Sequence, residues 1–85
     1  MITESNFRNL LLSLGFKNRD ELYEKKFPHL NALMSVDFAK KKLFYPATIK
    51  GGKRNDGFDA QENFVVFECV NRLLEKGYRP EHIEL

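Results

Sequence analysis

Glu24-Lys25-Lys26 is the triplet in this 85-residue chain that most resembles catalytic machinery. Metal-dependent phosphodiester cleavage uses an acid on one strand and Glu-x-Lys on the next. Two carboxylates then hold Mg²⁺, while the lysine orients the attacking water or steadies the transition state. Asp20 and Glu21 are the nearest preceding acids, too close in sequence to Glu24 for two separate strands to intervene. Asp37 falls on a plausible strand, but no Glu-x-Lys follows it, and it reads as a solvent-facing strand position. With 31% of residues charged, a three-residue pattern of this kind is expected by chance. His29 and His82 lie far apart with no local ligand partner and read as surface residues. Cys69, inside an apolar run, reads as a small buried hydrophobe. Gly51-Gly52-Lys53-Arg54 lacks the Gly-x-x-x-x-Gly-Lys-Ser/Thr of a phosphate-cradling loop and reads as a flexible polar segment. No Ser-His-Asp order, Cys-His dyad or zinc-ligand spacing is present. The expectation is therefore a chain with no catalytic residues, no metal and no cofactor.

Charge arrangement offers a different chemistry. Lys plus Arg is 14 and Asp plus Glu is 12, a formal net charge of +2 that by itself announces no partner. Residues 1–37 carry as many acids as bases, and residues 55–85 are acidic. Between them lie Lys40, Lys41, Lys42, Lys50, Lys53 and Arg54, with no acid from residue 38 to residue 54. Cations concentrated in this way can line a phosphate backbone without reading bases. These six are the candidate nucleic-acid-binding residues. The competing explanation is solubilising charge, since lysines at a hairpin tip also keep a sheet edge from pairing with another chain.

The elements that must position these residues follow from periodicity and punctuation. Thr3 is a plausible N-cap with Glu4 behind it. Phe7, Leu10, Leu11 and Leu14 then fall on one helical face, and Gly15 stands where a left-handed C-terminal cap is needed. This spacing predicts a helix over 3–14. Lys17 to Glu21 reads as a polar turn, and Leu22 to Phe27 as a strand stopped by Pro28. Met34, Val36 and Phe38 alternate with Ser35 and Asp37, the period of a half-buried strand. Ala39 to Lys42 connects it to Leu43-Phe44-Tyr45, stopped by Pro46, giving a hairpin over 33–45. Residues 47–58 read as a loop. Asp59 and Glu62 have the spacing of a capping box opening a helix over 60–76. Its face is Phe64, Val66, Phe67, Val70, Leu73 and Leu74, and Gly77 ends it. Glu68 interrupts that apolar stretch and is expected at its solvent edge. Arg79 to His82 reads as a turn, and Ile83-Glu84-Leu85 as the opening of a strand. The fold expected is α+β in the order α-β-β-β-α, a small antiparallel sheet packed by two helices.

Composition agrees with one small domain. The chain is 42% hydrophobic, with eight Phe and three Tyr supplying much buried area per residue. It is neither disordered by composition nor membrane-spanning. Its start lacks the basic region and apolar run of a secretory leader, and a single cysteine rules out an internal disulfide. A cytoplasmic location is the corresponding expectation.

The stretch from Glu62 to Leu85, with its Leu73-Leu74, Gly77-Tyr78, Pro80 and Ile83, resembles the opening of the nuclease-type domain of type I restriction enzymes. Upstream, Lys25-Lys26-Phe27-Pro28-His29, Val36-Asp37-Phe38 and Leu43-Phe44-Tyr45-Pro46 resemble the extreme N-terminus of bacterial restriction subunits and DNA methyltransferases. The resemblance implies an N-terminal fragment of a longer restriction-modification protein. Of the residues present, only Glu62 matches a position where that family carries an acid ahead of its nuclease core. The family's metal-binding Asp and Glu-x-Lys would lie beyond Leu85. What the resemblance implies is a non-catalytic domain that docks DNA or another domain of the parent protein. The alternative is a protein-interaction module with no DNA role.

Overall fold

The computed structural model describes residues 2–51 and 56–85. Within them the order is α-β-β-β-β-α, an α+β arrangement with one strand more than the sequence pattern predicts. Helix α1 spans Glu4–Ser13, and the strands are β1 (Lys17–Arg19), β2 (Leu22–Phe27), β3 (Ala32–Asp37) and β4 (Lys42–Phe44). Helix α2 spans Gln61–Glu75. The strands form one antiparallel meander in the order β1-β2-β3-β4.

The extra strand is the segment expected to be a turn. Lys17, Asn18 and Arg19 pair with Glu24, Tyr23 and Leu22, so the turn itself shrinks to Asp20 and Glu21, with Asp20 at φ 55°. An edge strand exposed along its whole length has no apolar alternation to reveal it. Likewise Lys42, expected in the connection, is the first residue of β4, because Lys41 takes a left-handed φ of 53° and closes the turn one residue sooner.

Both helices end as glycine at C′ dictates. After α1, Gly15 (φ 95°) donates to Leu12 O at 3.2 Å and Phe16 donates to Leu11 O at 3.0 Å. After α2, Gly77 (φ 96°) donates to Leu74 O at 3.0 Å and Tyr78 to Leu73 O at 3.1 Å. These paired bonds satisfy carbonyls that the last helical turn leaves open. The helix starts differ. At α1 the expected N-cap holds: Asn6 Oδ1 accepts the Thr3 N–H at 2.9 Å. At α2 the expected Asp59/Glu62 capping box is absent, because Ala60 is the N-cap and Asp59 stands one residue too early. Glu62 remains in the first turn, where the helix dipole favours an acid.

The core lies on one face of the sheet. Tyr23, Met34, Val36 and Leu43 project from it, and Phe7 and Leu11 of α1 and Phe64, Phe67, Val70 and Leu74 of α2 close over it. Phe7 sits at the centre, with ring centroids 4.7 Å from Phe64, 6.0 Å from Phe67 and 6.1 Å from Phe38. Ile49, from the loop, is also buried and anchors that segment to the core. Cys69 is exposed, contrary to the buried position expected, because the buried stripe of α2 runs through residues 63, 64, 67, 70, 71 and 74. Glu68 lies at the edge of that stripe, where Arg72 Nε donates to its Oε2 at 3.1 Å. Two asparagines occupy the stripe. Asn63 donates to Gly57 O at 3.1 Å, and Asn71 accepts from Lys25 at 2.9 Å.

Pro80–His82 form a 3₁₀ turn. Beyond it, among the described residues, Ile83 to Leu85 make a single parallel bridge, Glu84 opposite Lys50, with Leu85 donating to Lys50 O at 2.8 Å.

Candidate nucleic-acid interface

Three of the six predicted cations share one turn. Lys40 and Lys41 lie on the β3–β4 connection and Lys42 opens β4, all three exposed. Asp37 builds this turn: its Oδ1 accepts the Ala39 N–H at 2.9 Å and the Lys40 N–H at 3.1 Å, the local bonding that makes Asp a turn former. Two of the lysines acquire acidic neighbours from distant sequence. Lys41 Nζ is 3.5 Å from Glu4 Oε2 at the start of α1, and Lys42 Nζ is 3.6 Å from Asp56 Oδ2. The acid-free run in the sequence is therefore not acid-free in space. Both contacts are long and three of their four side chains are exposed, with Asp56 half-buried, so each holds its lysine weakly.

Lys50 is exposed on a different connection, held by the bridge to Glu84 and by its N–H donating to Ile83 O at 3.3 Å. Lys53 and Arg54 lie outside the described residues. The turn therefore groups Lys40, Lys41 and Lys42, while Lys50 belongs to the segment that meets the chain's last residues.

The sheet face opposite the core carries cations that the search for a basic run passes over. Register and alternation place Lys17, Arg19, Leu22, Glu24, Lys26, Leu33, Ser35, Asp37, Lys42 and Phe44 on this face, since their cross-strand partners are one another. The buried apolar stripes of both helices face the core on the opposite side of the sheet. Glu24 and Lys26, the Glu-x-Lys pair, point outward together, while Lys25 between them points into the core. Asp37 shares that outer face, but its carboxylate is committed to the turn amides. Among the described residues, no three His, Cys, Asp or Glu side chains are grouped so as to hold a metal ion.

At the Phe44 end of the outer face lies an open groove of about 470 Å³ lined by Leu33, Ser35, Phe44, Pro46, Ala47 and Thr48. Leu33 and Phe44 are 41% and 44% exposed, large values for apolar side chains on a sheet. Tyr45, next in sequence, also lines the groove, with Asn31 and Ala32, while its ring reaches the core. Its ring packs on Phe67 at 5.4 Å, and burial raises the pKa of its phenol.

Lys25 is the one inward-facing cation of β2, with a side chain 13% exposed. Its Nζ donates to Leu14 O at 2.7 Å, Asn71 Oδ1 at 2.9 Å and Glu75 Oε1 at 2.6 Å. The hydrogen bond from Lys25 holds the Glu75 carboxyl below its ordinary pKa. All three donor positions are occupied, so Lys25 ties β2 to the ends of both helices and has no proton free for chemistry. A clue was present in the sequence: Lys25 sits between Tyr23 and Phe27 at period two.

No helix among the described residues is long and apolar enough to cross a membrane. No protein-family model, curated protein or solved structure matches this chain.

Proposed function

We propose that this chain is a non-catalytic N-terminal domain of a cytoplasmic restriction-modification enzyme and helps dock DNA through its phosphate backbone. The observation that carries the reading is the run Lys40-Lys41-Lys42: three exposed lysines, two on a short connection whose shape Asp37 fixes and the third opening β4. Weak pairs to Glu4 and Asp56 exchange readily for phosphate oxygens, because exposed ion pairs are worth only about 0–1 kcal/mol. Contacts of this kind position a duplex without reading its sequence. Three such lysines give a slope of roughly −3 in log affinity against log salt, with affinity on the order of 10⁻⁴–10⁻⁶ M.

Titration of a labelled duplex at low and at physiological salt tests this, with the triple change Lys40, Lys41, Lys42→Ala as comparison. The expected result is salt-sensitive binding that the triple change weakens and whose salt slope it flattens by about three. Absence of binding at low salt, or indifference to the triple change, refutes it. The second reading, a protein-interaction module with no DNA role, is favoured by the same two ion pairs, which reduce the positive field of the turn. It predicts no DNA binding at any salt concentration.

A further inference from the structure

We infer that the outer face of the sheet is a platform for single-stranded DNA, with Phe44 as the stacking surface for an unpaired base. This deepens the DNA-docking reading by naming a second surface and a different form of the ligand. A strand with unpaired bases offers two things at once, a negatively charged backbone and flat apolar rings. A surface that takes it needs cations beside an exposed aromatic side chain.

The outer face supplies both. Phe44 stands in the row Lys17–Glu24–Ser35–Phe44, one residue from each strand, with Lys26 and Leu33 paired in the next outward row. Lys17, Arg19, Lys26 and Lys42 are exposed on this face. Against them stand three carboxylates: Glu24 directly across from Lys17, Asp37, which is engaged by the turn amides, and Asp56, 3.6 Å from Lys42 Nζ. The excess is positive, so the face complements an anionic strand better than an acidic or apolar protein. Adjacent strands are about 4.8 Å apart, which sets Lys26 about two strand spacings and Lys17 about three from Phe44. A backbone crossing the strands toward β1 can therefore meet cations while a base occupies the groove.

The groove is built for a ring. Phe44 and Leu33 are among its apolar lining, and Ser35 and Thr48 bring hydroxyls to it. A duplex keeps its bases stacked inside and has no ring to offer Phe44. The two surfaces thus differ in what they select: the lysine turn takes phosphate from either form, and Phe44 takes only an unpaired base.

The experiment is fluorescence anisotropy at low salt with a labelled twelve-nucleotide thymidine strand and a duplex of equal length. The proteins are wild type, Phe44→Leu, Phe44→Tyr and the double variant Lys40, Lys41→Ala, with each variant's fold checked by circular dichroism. The single strand is expected to bind more tightly than the duplex. Phe44→Leu should weaken single-strand binding by about 5- to 150-fold and leave duplex binding unchanged, and Phe44→Tyr, which keeps the ring, should retain it. Equal affinity for both forms, or an unaffected Phe44→Leu, overturns the inference while leaving duplex docking in place. Single-strand binding that survives Lys40, Lys41→Ala, a double change that leaves Lys42 of the platform in place, together with no duplex binding by the wild type, supports the platform and refutes the lysine turn. A wild-type dimer that Phe44→Leu disperses in sedimentation, with no DNA bound, assigns the groove to a second copy of the chain and overturns the inference.

Discussion

Replacing Lys25 with methionine isolates what one inward cation contributes to this fold. Methionine keeps the apolar stem and most of the volume, and the change removes the charge, its position over the Phe16 and Phe27 rings, and three donated bonds. Three acceptors lose their partner, and they are not equivalent. Asn71 is 1% exposed, so its Oδ1 becomes a buried acceptor without a donor. Leu14 O, at the C-terminal end of α1, loses its side-chain donor in a partly covered position. Glu75 is about half exposed and returns to water. At roughly 1–2 kcal/mol for each of the two orphaned acceptors and little for the exposed carboxylate, the loss is about 2–4 kcal/mol. For a domain of this size that lowers Tm by roughly 10–25 °C. Urea denaturation is the assay, with the midpoint shifting and the slope unchanged. Asn71→Leu in the Lys25→Met background should cost less than Asn71→Leu alone, because the acceptor it removes is already orphaned. A loss below about 0.5 kcal/mol, or strict additivity of the two changes, would show that Lys25 behaves as a surface cation.

The same contact gives a pH dependence. Because Lys25 lowers the folded pKa of Glu75, the associated stability is present above the ordinary carboxylate range and is lost as pH falls through the lowered value; Lys25→Met should remove that component from the acid limb of a stability profile. Phe67→Ala, at a fully buried site touching the Phe7, Phe16 and Tyr45 rings, should cost about 3–5 kcal/mol by urea denaturation. Asp59→Ala should change stability by less than about 0.5 kcal/mol, since Ala60 is the N-cap. Gly77→Ala should cost about 1–2 kcal/mol through its φ of 96° alone, because an added Cβ meets nothing within 4 Å. Cys69 should react with a thiol reagent in the native protein at a rate unaffected by sub-denaturing urea.

Local signals in the sequence determined the elements that have local causes. Both helices were legible because their apolar residues recur at helical spacing and because Gly15 and Gly77 mark their ends. Strands β2 and β3 were legible from apolar alternation and Pro28. Where a residue's role depends on a partner far along the chain, the sequence was silent or misleading. Lys17–Arg19 became a strand only because β2 offers it an edge, and a fully exposed strand carries no hydrophobic pattern. Asp59 had the spacing of a capping box, but the entry angle of α2, set by its packing, placed the cap at Ala60. Cys69 falls in an apolar run, but α2 buries Phe64, Phe67, Val70 and Leu74, which leaves position 69 on the exposed side. The three lysines of the β3–β4 turn were visible as a run. That Glu4 and Asp56 stand beside two of them was not, because Coulomb interactions act through space and not along the chain. The same reason kept the outer sheet face hidden. Lys17, Lys26, Lys42 and Phe44 come from three strands, and only the pairing register, fixed by which side chains the core must bury, put them on one surface.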